Sequence, residues 1–263
     1  MRKCKGLYIS FANLLFWIGS FDSLYNHNNI RNYMSRACKC VVITGLPKSG
    51  KSYFNQWIIS KKSYANSRLL ISNPANEESW DSLRNSKKTY TPKNLNIRIG
   101  EPVNLVRSSK DLEINTNEYI ISLCNAINKY CIPEKKITFS GLCVFDDASA
   151  ILPSDISGKA KTMLRNLVSI RRQLDTDFIF NFHSLNNVPP FISDVESDLV
   201  IFRGNIKLRG DKFEEIAQRV QSEINEISKK EKYLYGYISI YDGFYYVAKL
   251  ENDEEKIIYA KKF

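Results

Sequence analysis

Along this chain, short apolar runs alternate with amphipathic segments of ten or more residues. Cys40-Val41-Val42-Ile43-Thr44 is largely β-branched and predicts a buried strand. Further buried strands are predicted at Arg68–Ser72, Gly141–Phe145, Asp177–Phe182 and Asp198–Phe202. Between them, apolar residues recur at i, i+3 and i+4. Ile120, Leu123, Ile127 and Tyr130 give a helix over Asn117–Tyr130. Ala160, Met163, Leu164, Leu167 and Val168 give one over Gly158–Arg172, and Phe213, Ile216, Ala217, Val220, Ile224 and Ile227 give one over Asp211–Lys230. Strands alternating with helices imply an α/β fold with a mostly parallel sheet. Residues 75–112 read as an irregular excursion with one short strand at Ile97–Ile99.

Beyond residue 232 the pattern changes to β. Tyr237–Tyr241 and Phe244–Ala248 flank Asp242-Gly243, a strong hairpin signal, and Lys256–Ala260 can add a third strand. Tyr235, Tyr237, Tyr241, Phe244, Tyr245 and Tyr246 form either the hairpin's own core or a stacking or subunit-contact surface. The division expected is an extension or linker over 1–36, a core over 37–232 and a small β appendage over 233–263. Within the extension, Arg2, Lys3 and Lys5 precede a mostly apolar stretch, Leu7 to Ile18. It reads as an interfacial anchor or partner-binding helix, as an upstream extension with Met34 near the functional start, or as an export signal.

With 263 residues and 25% charged residues, the chain is long enough for one α/β domain and too ordinary in composition for a disordered or collagenous protein. Six cysteines without a C-x-x-C pair, and two histidines, argue against a zinc site and for idle reduced thiols. The 38 Lys+Arg against 28 Asp+Glu leave a formal charge of +10, which favours a polyanionic partner, nucleic acid first and an anionic membrane second.

The sharpest chemical signal follows the first strand. Gly45-Leu46-Pro47-Lys48-Ser49-Gly50-Lys51-Ser52 is a full G-x-x-x-x-G-K-S phosphate cradle. Its glycines let the backbone wrap an anion with the N–H groups turned inward. Lys51 can reach the β- and γ-phosphates, and the Ser52 hydroxyl can sit on Mg²⁺. The helix opening at Tyr53 points its positive end at the phosphates. Gly45, Lys48, Ser49, Gly50, Lys51, Ser52 and Tyr53 are therefore the candidate nucleotide contacts, with ATP and Mg²⁺ as the cofactors expected.

A second carboxylate for the metal is supplied where the apolar run Leu142–Phe145 ends in Asp146-Asp147. Asp146 can hold Mg²⁺ through water, and Asp147 can polarise the attacking water. Asp177–Phe182 likewise ends in His183, either a sensor of the γ-phosphate or a surface residue capping the turn at Asn186-Asn187. Asn181 is read as facing the other side and is not counted in the site. Lys159, Lys161, Arg165, Arg171 and Arg172 make a run of cations without an acid. They form a solvated face, a DNA-facing stripe, or the source of an arginine supplied to a neighbour's phosphate.

The order of these elements resembles the FtsK–HerA superfamily of ATPases, in particular viral genome-packaging ATPases and phage assembly proteins of the zonula-occludens-toxin type. The resemblance covers roughly residues 38–203, with His183 where Gln is usual and Asp147 where Glu is usual. It implies a RecA-like core of the additional-strand type and a ring of subunits, often six, that couples ATP hydrolysis to movement of DNA. The expected partners are duplex viral DNA, further copies of the chain, and a capsid or membrane protein at the portal vertex. The expected location is the host cytoplasm or the virion, with membrane association through the N-terminal stretch. Lys51, Asp147, His183, Arg171 and Arg172 are the catalytic candidates and Arg203 is a further arginine. The alternatives are a membrane-linked assembly protein using ATP as a switch, or a nucleotide kinase, although neither an acceptor pocket nor an Arg-bearing lid is visible in the sequence.

Overall fold

Each apolar run before residue 203 becomes a strand whose two faces are covered. A computed structural model describes residues 38–61, 67–76, 78–83, 86–89, 92, 95–106, 116–152, 156, 158–195, 198–204, 214–228, 233–240 and 242–262. Their elements are β1 (Cys40–Thr44), α1 (Lys51–Lys61), β2 (Arg68–Asn73), β3 (Lys87–Thr89), β4 (Val103–Val106), α2 (Thr116–Asn128), β5 (Gly141–Phe145), α3 (Gly158–Ser169), β6 (Thr176–Phe182), α4 (Pro190–Ser193), β7 (Asp198–Phe202), α5 (Glu214–Ile227), β8 (Leu234–Ser239), β9 (Phe244–Glu251) and β10 (Glu254–Lys262).

These strands form one sheet in the order β10-β9-β8-β7-β1-β6-β5-β2-β4-β3. From β7 to β3 every pairing is parallel, and from β7 through β10 every pairing is antiparallel. The strand β6 lies between β1 and β5, so the loop after β1 and the acids after β5 are separated by one additional strand. Helices α2, α3 and α5 pack through Leu123, Leu164, Leu167, Val220 and Ile224 into a core that includes Val42, Cys143, Phe178, Phe180 and Leu199. On the other face α1 inserts Phe54 between Phe202 and Tyr235, with ring centroids 5.8 and 4.7 Å away. Gly236 is required where α5 crosses β8, because a Cβ there would lie 2.1 Å from Val220 Cγ1.

One expectation needs correcting. Among its described residues the excursion over 75–112 holds two strands, β3 and β4, whereas Arg98 and Ile99 make only isolated bridges. The run Val103-Asn104-Leu105-Val106 is short and broken by a polar residue, but all four side chains are buried because β4 sits between β2 and β3. In the tail the expected hairpin forms, with β8 and β9 antiparallel on either side of Asp242-Gly243 and β10 as the third strand. The β9–β10 turn is at Asn252-Asp253, both with positive φ, and the three strands extend the main sheet from β7. Positive φ at both central residues matches the right-handed twist of a tight hairpin.

The localisation expectation is also withdrawn. No helix among the described residues is long and apolar enough to cross a membrane. The stretch Leu7 to Ile18 lies outside the described residues, as do Tyr241 and Phe213. No observation therefore carries a membrane anchor, a cytoplasmic address or a virion address.

Candidate nucleotide site

Parallel pairing brings the tips of β1, β6 and β5 to one edge. Thr44 is in register with Phe182, and Phe145 with Phe180, so Gly45, His183 and the Asp146-Asp147 pair emerge side by side. Ligands of open α/β sheets bind at this carboxyl edge.

The cradle is closely braced from behind. Leu46 N donates to Arg203 O at 3.0 Å, which ties the loop to the end of β7. A Cβ on Gly45 would lie 2.6 Å from Phe202 Cβ and 2.8 Å from Ser49 Oγ. Gly50 has φ +109° and Lys48 has φ +61°, backbone states that turn successive N–H groups toward one centre. Lys51 is buried, and its ammonium donates to Gly45 O at 2.7 Å and Leu46 O at 3.0 Å. It therefore lies in the mouth of the loop, where an arriving phosphate can compete for it. Thr44 Oγ1 and Ser49 Oγ are buried there with no hydrogen-bond partner. Unmatched buried hydroxyls cost on the order of 1–3 kcal/mol each, and at a loop of this shape they suit an absent oxyanion or its water.

Asp146 is nearly inaccessible at 4% exposure and accepts four hydrogen bonds. Trp80 Nε1 donates to its Oδ2 at 2.6 Å, and Ser52 Oγ approaches the same oxygen at 3.5 Å. Asn181 Nδ2 donates to Oδ1 at 2.7 Å, and Asp147 N to Oδ1 at 3.2 Å. The Ser52–Asp146 approach joins the two halves of the candidate metal site across 94 residues of sequence. Its donors are hard oxygens, and no group of three or more His, Cys, Asp or Glu among the described residues can hold a metal alone. Such a sparse oxygen set suits Mg²⁺, which keeps several waters and takes further ligands from phosphates.

Asp147 has φ 44° and ψ 54°, the left-handed region, which costs a non-glycine residue about 1–3 kcal/mol and marks an imposed geometry. Its Oδ1 lies 3.2 Å from His183 Nε2, with both side chains partly exposed. His183 thus faces Asp147, and the turn at Asn186-Asn187 is capped by Ser184, whose Oγ accepts from Asn186 N. Tyr53, one residue past Ser52, donates its hydroxyl to Asp253 Oδ1 at 3.0 Å, a bond that raises the phenol above its usual range.

Two residues of the cluster were missed in the sequence. The expectation that Asn181 faces away fails, because its Nδ2 donates to Asp146 Oδ1 inside the site. An Asn inside an otherwise apolar strand needs a buried partner, and that requirement is the signal that could have found it. Trp80 sat in a polar stretch, where a fully buried indole must likewise find an acceptor.

The arginines separate. Arg171 is buried, donating through Nε to Cys38 O at 3.0 Å and through a terminal nitrogen to Val168 O at 3.2 Å. A guanidinium held in its own chain's carbonyls is not offered to a neighbour. Arg172 is exposed at the amino edge of β6, and Arg203 is exposed beside the cradle.

A doubly covered parallel sheet with a phosphate loop, an acid-tipped strand and one strand between them is a P-loop NTPase fold. Among solved structures the chain is similar to the genome packaging NTPase B204 of Sulfolobus turreted icosahedral virus 2 in complex with AMPPCP, at 16% identity and TM-score 0.53, covering 83% of this chain and 96% of that one. The AMP complex of the same protein matches at 13% identity and TM-score 0.55, covering 84% and 98%. B204 of Sulfolobus turreted icosahedral virus, a DNA-packaging ATPase, matches at 12% identity and TM-score 0.51, covering 83% and 96%. No protein-family model and no curated protein matches the sequence.

Proposed function

We propose that this protein hydrolyses ATP with magnesium and couples hydrolysis to the movement of duplex DNA, in a ring-shaped motor that packages a viral genome. The observation that carries the reading is the meeting of Ser52 and Asp146 at 3.5 Å, beside the loop that holds Lys51 and next to the Asp147–His183 pair. Bound magnesium would neutralise charge on the β- and γ-phosphates. Ser52 and Asp146 are the residues to hold it. The loop amides and Lys51 bind and orient the triphosphate. Asp147 orients a water and takes its proton at a carboxylate oxygen, and His183 holds Asp147 in place.

The coupling to DNA is supported by the +10 charge, by Lys159, Lys161 and Arg165 exposed along α3, and by the likeness to packaging ATPases. A neighbour's arginine would come from Arg172 or Arg203, since Arg171 is engaged in its own chain.

The test is ATP turnover with and without duplex DNA, alongside particle sizing with ATP and Mg²⁺. Turnover stimulated by duplex DNA and a ring-sized particle are expected. Asp147→Asn should bind Mg-ATP as the parent does and lose about 10²–10⁴-fold in turnover, as loss of a general base does. Turnover indifferent to DNA would remove the translocation part, and phosphate transfer to a small acceptor would point to a kinase instead.

A further inference from the structure

Trp80 belongs to no nucleotide motif, yet its indole is fully buried and makes the shortest hydrogen bond on Asp146. Packing alone does not account for an indole here, because a phenyl ring would fill most of that space without requiring an acceptor. The terminal torsion of an aspartate is soft and broadly two-fold, so a carboxylate keeps one plane only if its neighbours fix it. Trp80 grips Oδ2, the oxygen nearest Ser52, while Asn181 grips Oδ1.

The turn that carries Trp80, Glu78–Ser82, is itself anchored on three sides. Gln56 of α1 donates to Ser79 O at 2.7 Å, and Asn104 of β4 donates to Asp81 Oδ1 at 3.1 Å. Lys88 of β3 pairs with Asp81 Oδ2 at 3.3 Å. A loop that only linked β2 to β3 would not need ties to α1 and β4. These ties hold the indole against the carboxylate from outside the phosphate loop.

We propose that Trp80 is a positioning residue for the metal-binding carboxylate. By fixing Oδ2 of Asp146 toward Ser52 it sets the magnesium dependence of nucleotide binding, and its indole senses when that oxygen is shared with a metal-bound water. This role rests on the magnesium–nucleotide reading above. Outer partners of directly ligating groups typically tune metal affinity by about 10–100-fold, and a carboxylate acting through water sits at or below the low end of that range.

Calorimetry and indole emission test this. Trp80→Phe keeps the ring and removes the N–H. It should bind ATP in EDTA as the parent does, yet need about 3–10-fold more Mg²⁺ for half-maximal tightening, the low end of an outer-partner effect. Trp80→His, which restores a ring N–H, should recover part of that loss. The Trp17→Phe/Trp57→Phe double variant leaves Trp80 as the remaining indole of the three in the chain. Its emission should change when Mg²⁺ is added to the ATP complex and return with EDTA. It decides the matter even if Trp80→Phe does not fold. A magnesium titration of Trp80→Phe matching the parent, or a double variant that binds Mg-ATP with silent emission, would overturn the role and leave the ATPase reading standing. A parent protein that binds no magnesium nucleotide would overturn both.

Discussion

The two edges of the sheet treat their polar groups in opposite ways. At the amino edge, charge is spent on structure. Lys39 pairs with the buried Asp198 at 3.1 Å, its amide donates to Asp177 at 2.8 Å, and Arg171 closes on the carbonyls of Cys38 and Val168. One nitrogen of Arg68 is the exception there. At the carboxyl edge, Thr44 Oγ1, Ser49 Oγ and Asn181 Oδ1 are buried without partners. A fold that satisfies one rim and leaves capacity on the other has marked where its ligand goes.

The contrast can be broken by mutation, most strongly at the carboxyl edge. Lys51→Ala should lower ATP turnover by about 10²–10³-fold, the loss seen when one preorganised donor is removed from developing charge, with the urea midpoint little changed. Gly45→Ala comes next. Its Cβ would meet Phe202 Cβ and Ser49 Oγ below 3 Å, and overpacking of this kind costs about 1–3 kcal/mol, readable as a roughly tenfold weaker nucleotide affinity in calorimetry.

The amino edge should show the reverse pattern. Arg171→Met leaves two carbonyls without their donor and should cost about 2–3 kcal/mol in urea unfolding, while turnover per folded molecule holds. An Arg171 variant that folds normally and loses only turnover would reverse the assignment of the two rims.

The smallest effect is expected far from both edges. Glu255 is pushed above the usual carboxylate range by burial, against the lowering effect of hydrogen bonds from Tyr235 and Tyr246. A carboxyl with a raised folded pKa adds most stability while protonated, and that stability is lost as pH rises from its unfolded value through its folded value. Glu255→Gln should therefore shift the urea midpoint upward slightly at neutral pH, with the gain shrinking toward pH 4.

Much of this was legible in the sequence because it is local. The phosphate loop is eight consecutive residues, and the central strands are mostly apolar runs, so their positions follow from local pattern. The Asp146-Asp147 pair was legible for the same reason. What escaped depends on register. Asn181 joins Asp146 only because β6 lies beside β5 with Phe180 opposite Phe145. Trp80 reaches the carboxylate through a turn whose ties to Gln56 and Asn104 are long-range. Arg171 belongs to a run of cations that suggests an arginine offered to a neighbour, and the structure buries it where the helix has ended and the chain turns into β6. Pattern reports which face a residue takes within its own element and is silent on what that face meets.

The brace behind the cradle has a consequence for how the protein is made. The phosphate loop is made before its wall, which is Phe202 and Arg203, and Tyr53 and Trp57 of α1 reach Asp253 in the β9–β10 turn. A nascent chain that stops short of β7 thus carries the loop without this wall, and slow pairing of distant strands prolongs that stage. The wall behind the loop is therefore complete only once β7 and the β9–β10 turn have been made.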